Sequence, residues 1–348
     1  MARKKIWLGL AVVAALARPV AVFFAAATIA AYRPAPQEPL RSHAAPPYKS
    51  GSLADSFTVT SWNIGYGGLG READFFYDGG KMVRSPRAAV ENNLLHIEDF
   101  LQADGSNFLL LQEVDTRSRR SYNINELRRI AARRRGSGYF FAHNYKAWHV
   151  PVPLFDPLGH VRSGVATFGQ CPAYSAVRHA YPFGEPYPQS IFQLRRCFLA
   201  CRYAAKSGKK LLLVNTHNSA FDSGQLREAE MNALRDFAVE TYESGCYVVV
   251  GGDWNQTPPG YEKWASTKEY TPHPIARDLL PQGWQWAYDT AAATMRFANA
   301  PYDEGTSLTS TVDFFLASPN VHVAGVAAHR LGFEHADHNP VTATFVLR

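Results

Sequence analysis

Six short clusters of acids, amides and histidines stand at the ends of apolar segments in this chain. They are Trp62-Asn63-Ile64-Gly65, Leu111-Gln112-Glu113-Val114-Asp115, Thr216-His217-Asn218, Gly251-Gly252-Asp253-Trp254-Asn255, Ser310-Thr311-Val312-Asp313 and Ala336-Asp337-His338-Asn339-Pro340. Carboxylate and amide oxygens hold hard divalent cations, and imidazoles move protons near neutral pH. Loops at strand ends are where such groups converge into sites. Taken singly, each cluster also has a plain structural reading: a capping Glu, a turn at Asp253-Trp254-Asn255, a satisfied histidine at His217 or His338. Asn255-Gln256-Thr257 also matches a glycosylation sequon. The chain contains no GxSxG, no HExxH and no GxxxxGK(S/T), which removes the serine-hydrolase, zinc-protease and P-loop chemistries.

The segments that must position these clusters are mostly strands. Phe57 to Trp62 alternates and is β-branched, Phe108 to Leu111 and Tyr247 to Val250 are apolar runs, and Leu194 to Tyr203 and Leu211 to Asn215 flank a turn at Lys206-Ser207-Gly208-Lys209. Gly164 to Phe168, Thr311 to Ala317, Val321 to Val326 and Val341 to Leu347 complete the strands. Ser85-Pro86 reads as an N-cap with Pro at the first helical position, followed by Val90, Leu94, Ile97 and Leu101 on one helical face. Gln225 to Tyr242 is a second helix, with Leu226, Ala233, Leu234 and Phe237 on one face. Many strands with few helices and no βα alternation imply an α+β domain with stacked sheets.

Of 348 residues, 46% are hydrophobic and 19% charged, the composition of a folded globular chain rather than a disordered or fibrous one. The net charge of +6 is misleading: five of the 36 Lys and Arg lie in the first 33 residues, leaving 31 basic against 30 acidic residues. The charge balance is therefore no evidence for nucleic-acid binding. Asn125 to Arg135 is a basic helix candidate within a run of eight arginines from Arg117 to Arg135, either a solvated face or a patch for anionic substrate, lipid headgroups or nucleic acid. Cys171, Cys197, Cys201 and Cys246 show no metal-like spacing and leave free thiols or one disulfide open.

Residues 1–32 form a leader: Arg3, Lys4 and Lys5 precede the apolar stretch Ile6 to Tyr32, broken only by Arg18-Pro19. Its 27 residues exceed the roughly 20 that span a bilayer, so a transmembrane signal-anchor helix is expected, with a cleaved signal peptide as the alternative at Ala15-Leu16-Ala17 or Ile29-Ala30-Ala31. Either outcome places the domain outside the cytoplasm, membrane-anchored or secreted. Residues 33–55, with five prolines, read as a tether, and residues 56–348 as the catalytic domain.

Together, and in this order, the six clusters resemble the endonuclease/exonuclease/phosphatase superfamily, over about Ser56 to Arg348. That resemblance implies a four-layer α/β/β/α sandwich of two packed mixed β-sheets and hydrolysis of phosphate esters with Mg²⁺, Mn²⁺ being possible. It implies Glu113 as the main metal ligand, with Asn63 and Asp337 completing the shell. It further implies His217 on a phosphate oxygen, Asp253 and Asn255 on the attacking water, and His338 polarised by Asp313, with either Asp253 or His338 as the base. Two positions depart from the family pattern: Gly65 stands where many members carry a carboxylate, and Ala336 replaces a Ser.

The expected substrate is a lipid headgroup or another small phosphoester, handled by a monomer held at a membrane through the N-terminal segment. An extracytoplasmic nuclease and a non-catalytic scaffold are the alternatives. Thr294-Met295-Arg296 reads as a rim in which Arg296 clamps a phosphate or forms a structural ion pair. Trp284, Trp286 and Tyr288 read as packing or as a base-stacking platform.

Overall fold

The computed structural model describes residues 2–44, 51–182, 184–220, 224–261 and 273–348. Helix α1 (Ala2–Ala30) is followed by two short strands, β1 (Gln37–Pro39) and β2 (His43–Ala44). Next come β3 (Ser56–Asn63), α2 (Arg87–Ala103), β4 (Phe108–Asp115), α3 (Glu126–Arg133), β5 (Gly138–Val150), β6 (Gly159–Gly169) and β7 (Ala173–Ala180). The second half holds β8 (Cys197–Ala204), β9 (Lys210–His217), α4 (Gln225–Glu243), β10 (Tyr247–Asp253), β11 (Gln285–Ala287), β12 (Met295–Arg296) and β13 (Thr309–Ser310). It closes with β14 (Asp313–Ala317), β15 (Val321–Ala328) and β16 (Val341–Leu347).

These strands make two seven-stranded sheets, ordered β1-β7-β8-β9-β10-β14-β11 and β15-β16-β3-β4-β6-β5-β2, plus a β12-β13 ribbon. Both large sheets are mixed: β9–β10 and β3–β4 run parallel, each pair joined through a helix, while their other neighbours are antiparallel. A parallel pair needs such a crossover. These two βαβ units were invisible as an alternation in the sequence because there is only one in each sheet.

The period of two along each strand divides the core into layers. On β4, Phe108 and Leu110 face the other sheet, and Leu109 and Leu111 face α2 and α3. On β10, Tyr247 and Val249 face inward while Val248 and Val250 pack under α4 with Met231, Leu234 and Ala238. Both faces of these central strands are therefore buried, which is why they read as continuous apolar runs. Each fully buried Leu, Val or Phe here contributes roughly 1.5–3 kcal/mol.

Several local expectations change. Pro86 occupies the cap position of α2 and makes no side-chain cap, while Ser85 Oγ donates to the Gly68 carbonyl instead. Strands β5 and β7 were not apparent in the sequence: β5 breaks its alternation at Asn144 and Tyr145, both buried, where its register against β6 slips, and it leaves the apolar Trp148 exposed. No disulfide links the four cysteines. Much of the arginine run is engaged: Arg129 and Arg133 reach Glu98, Arg120 pairs with Asp115, and Arg134 donates to the carbonyls of Leu101 and Ser106. Of the aromatic group, Trp286 packs against Trp254 and Phe314, Tyr288 against Phe314 and Trp284 against Tyr242, the packing reading.

The N-terminal region also departs from a plain anchor and tether. Among the described residues no helix is long and apolar enough to cross a membrane. In α1, Arg18 and Pro19 lie inside the helix, and the rings of Phe23 and Phe24 pack against Phe192 of the domain. Gln37–Pro39 pairs with β7 at the edge of the first sheet, and Leu53 is buried in the inter-sheet core. Pro46 and Pro47 of the expected tether lie outside the described residues.

Two histidines make stability depend on acid. Burial pushes His143 down to about 4, opposed by its hydrogen bond to the Ser163 carbonyl, and burial with Arg202 does the same to His179. Unfolded imidazoles titrate near 6.5, so between that value and 4 the unfolded chain binds more protons and stability falls as pH falls. For His143 the expected loss is about 2–3 kcal/mol between pH of about 7 and about 4. Urea midpoints across that range should show a shallower slope for His143→Phe than for the parent chain; parallel slopes would show that His143 is not a source of the dependence.

Candidate active site

The topology delivers the clusters to one end of the sandwich. In the first sheet His217, Asp253 and Asp313 lie at one level of register, Asp253 being the partner of both, at the ends of β9, β10 and the start of β14. In the second sheet Asn63 ends β3 opposite Gln112, one residue before Glu113. Gln112 and Asn215 tie the two sheets together below the site, Gln112 Nε2 donating to Asn215 Oδ1 at 2.7 Å.

Local backbone then aims each side chain. The register of β4 against β6 slips between Leu111 and Val114, and Glu113 takes φ 55°, a left-handed conformation that turns it out of the ladder. A bulge of this kind redirects one side chain and is at home beside active sites. Asn255 has φ 50°, with its amide N–H on Asp253 Oδ1 at 2.9 Å. Gly252 adopts φ 146°, and a Cβ there would lie 2.0 Å from the Thr216 carbonyl oxygen, so the β9–β10 approach admits glycine alone. The His338 loop is pinned by Trp62 Nε1, which donates to the His338 carbonyl at 2.8 Å, and by Arg296 N on the Asp337 carbonyl.

The buried Asp253 carboxylate is the hub. Its Oδ2 accepts from Asn63 Nδ2 at 2.9 Å and lies 3.6 Å from His217 Nε2 and 3.9 Å from His338 Nε2. His338 Nδ1 donates to Asp313 Oδ2 at 2.7 Å, and Thr294 Oγ1 fixes that aspartate's strand by accepting from the Val312 and Asp313 amides. Burial raises Asp253 to about 6. Burial disfavours charge on His338, but Asp313 and Asp253 facing it hold it protonated well above the ordinary imidazole range. His217 goes the other way, held neutral by burial and by the positive charges of Arg196 and His338, and its Nδ1 has no partner.

Glu113 and Asp337 open onto the same cavity of about 650 Å³, which Asn63, His217, Asp253, Asn255 and His338 also line. Burial, with the nearby Glu113 charge adding to it, pushes Asp337 up to about 7, and its Oδ1 is buried without a hydrogen-bond partner. A set of hard oxygens short of positive charge fits Mg²⁺ or Mn²⁺. Gly65, at φ 49°, accounts for the missing acid: a Cβ there would stand 2.7 Å from Asp337 Oδ1, so Asp337 takes up the space. Asp253, Asp313 and His338 also present ligand atoms within 4.8 Å of one another. In that group the short Asp313–His338 hydrogen bond already joins one oxygen to one ring nitrogen, an arrangement that orients an imidazole.

Eight of the nine residues singled out from sequence, Asn63, Glu113, His217, Asp253, Asn255, Asp313, Asp337 and His338, thus converge. The ninth, Arg296, lines the same cavity, but its guanidinium is taken up by backbone carbonyls. Arg296 is buried, and its guanidinium donates to the carbonyls of Ala300 at 3.0 Å, Gly70 at 2.7 Å and Ala73 at 3.2 Å, so it staples the Leu69–Ala73 loop rather than presenting a phosphate clamp. Arg296→Met is expected to cost about 3 kcal/mol, because several buried carbonyls lose their donor at once. A urea midpoint within error of the parent would return the arginine to the clamp reading.

Sequence reasoning missed Arg120 and Asp78. Arg120 makes a paired contact with Asp115 at 3.0 and 3.1 Å, stands 3.7 Å from Glu113 Oε2 and covers the Tyr66 ring at 3.6 Å. Nothing in a run of eight arginines distinguishes it. Asp78 comes from a 3-10 turn, lines the cavity and is raised to about 6 by burial.

Comparison with known proteins agrees with the fold. No curated protein matches the chain. An endonuclease/exonuclease/phosphatase from Beutenbergia cavernae DSM 12333 is 16% identical, covering 84% of this chain and 72% of that one, with a TM-score of 0.58. The human Nocturnin catalytic domain with bound sulfate anion is 17% identical over 86% of this chain and 96% of its own, at 0.52. D. rerio TDP2 complexed with single strand DNA product is 16% identical over 83% and 98%, at 0.51. At such identities the likeness is one of fold. The family model "Endonuclease/Exonuclease/phosphatase family" matches residues 60–338, from β3 to the His338 loop, and on that match the chain belongs to the endonuclease/exonuclease/phosphatase family.

Proposed function

We propose that this protein hydrolyses a phosphoester by attack of water, with Mg²⁺ or Mn²⁺ held by Glu113, Asn63 and Asp337. The observation that carries the reading is the Asp253 hub, a buried carboxylate facing Asn63 and two histidines, one of them fixed by Asp313. A bound divalent cation supplies Lewis-acid polarisation of the phosphoryl group and neutralises developing charge. Asp253, with Asn255 beside it, orients the attacking water. Asp253 and His338 divide proton transfer and charge stabilisation between them, and Asp313 holds the His338 ring in the orientation that aims Nε2 into the site. His217, buried and neutral, donates to a non-bridging oxygen.

A small phosphoester or lipid headgroup fits better than duplex nucleic acid. Duplex binding relies on a clear cationic footprint. Here the chain beyond the leader is nearly neutral, and five of the eight arginines from 117 to 135 are engaged in ion pairs or carbonyl contacts. The basic, acid-free leader supports a location of the domain outside the cytoplasm, at or near a membrane.

The test is turnover of bis-p-nitrophenyl phosphate, sphingomyelin vesicles and plasmid DNA by the full chain, with Mg²⁺ and with EDTA, and with Asp253→Ala as the control. Metal-dependent turnover of a small or lipid substrate, lost in the variant, is the expected result. Preferential plasmid cleavage that falls steeply with added salt would make the protein a nuclease. Absence of turnover on every substrate with either metal would leave a binding scaffold of this fold.

A further inference from the structure

The β5–β6 hairpin carries at its tip an apolar surface that packing within the domain does not explain. Between Val150 and Gly159 the chain runs Pro151-Val152-Pro153-Leu154-Phe155-Asp156-Pro157-Leu158, with Leu154 78% and Phe155 99% exposed. A soluble domain does not ordinarily hold two large neighbouring apolar side chains fully in water at a loop apex. Val152 in the same tip and Trp148, near the end of β5, are further exposed apolar side chains on this hairpin.

The surroundings of the tip are basic. Lys146 and Arg162 are register partners on β5 and β6 and both are exposed, and Arg117, also exposed, donates its amide to the Arg162 carbonyl. Lys146 and Trp148, two residues apart, share a strand face. The tip's one acid, Asp156, is neutralised by Arg84 at 2.7 Å and Arg119 at 3.3 Å. The N-terminal helix arrives at the same surface: Phe23 packs on Trp148, and Lys146 Nζ lies over the Tyr32 ring. On the other side, the hairpin's Tyr145 and Leu158 line the catalytic cavity.

We propose that this hairpin is a docking element for an anionic lipid bilayer, in which Leu154 and Phe155 enter the interface while Lys146, Arg162 and Arg117 meet the headgroups. Apolar side chains at the apex with cations set behind them match the layered chemistry of that surface, apolar within and anionic above. Docking through this hairpin brings the cavity that Tyr145 and Leu158 line close to the lipid surface. The proposal does not rest on the hydrolase reading, because binding to vesicles requires no turnover.

The experiment is co-sedimentation of the full chain with vesicles of equal parts phosphatidylcholine and phosphatidylglycerol, and with phosphatidylcholine alone. The parent is compared with Leu154→Ser/Phe155→Ser and with Lys146→Gln/Arg162→Gln. All three proteins keep α1, so differences between them report the hairpin. The expected result is preference for the anionic vesicles, a loss of binding of at least about tenfold in the tip variant, and a loss of about tenfold with a flatter salt dependence in the charge variant. Both substitutions lie on exposed side chains, and an unchanged melting temperature verifies that each variant is folded. Binding to anionic vesicles that is the same in parent and tip variant overturns the proposal. So does a tip variant that abolishes self-association in sedimentation velocity while leaving vesicle binding intact, which would assign the patch to a second copy of the chain.

Discussion

His338→Ala is expected to lower kcat/KM on bis-p-nitrophenyl phosphate by about 10³-fold, the middle of the range for losing a positioned acid or base. The reason lies in how fully the ring is committed. One ring nitrogen is hydrogen-bonded to Asp313 at 2.7 Å, and the other faces Asp253 from 3.9 Å. Asp313→Asn separates positioning from folding: the side chain keeps its shape but can present its amide N–H to the imidazole, reversing the tautomer. It should lose activity to a similar order while melting close to the parent. A His338→Ala variant within about threefold of the parent would remove the histidine from the mechanism, since even a weak general acid or base contributes more than that.

Glu113→Gln carries the second large effect, read first in metal binding. The substitution keeps size and removes the negative charge, and oxygen ligands for a hard cation depend on that charge. Calorimetric titration with Mn²⁺ should show at least about a tenfold weaker Kd, and activity at fixed Mg²⁺ should fall by about 10²-fold or more, as expected when a principal ligand loses its charge. The fold should survive, because Arg120 retains its paired contact with Asp115 when the 3.7 Å contact to Glu113 is lost. Mn²⁺ affinity equal to the parent's would show that Glu113 is not a ligand and move attention to Asp337 and Asp78, which line the same cavity.

Residue types and their order along the chain were sufficient to mark residues that the fold brings together at one end of the sandwich. Asn63, Glu113, His217, Asp253, Asp313 and His338 each follow or open an apolar strand, and strand ends are local features, set by side-chain patterning within a few residues. The central strands and the two long helices of the domain were legible for the same reason, since apolar runs and a 3.6-residue period report directly which side is buried. The family fold followed from those clusters taken together, and the match over residues 60–338 agrees with it.

What only the tertiary structure decided concerns partners far apart in the chain. Whether Arg296 meets a phosphate or a carbonyl depends on the Leu69–Ala73 loop more than two hundred residues away, which surrounds the guanidinium before any substrate could. Which arginine of a dense run stands at the site was settled by Asp115 and Tyr66, not by anything local to Arg120. The mostly engaged state of that run, the packing role of Trp286 and the docking of Phe23 on the domain were likewise fixed by contacts between distant segments. A sequence states what each side chain can do; burial and the identity of its neighbours decide which of those capacities it uses, and both are properties of the assembled sandwich.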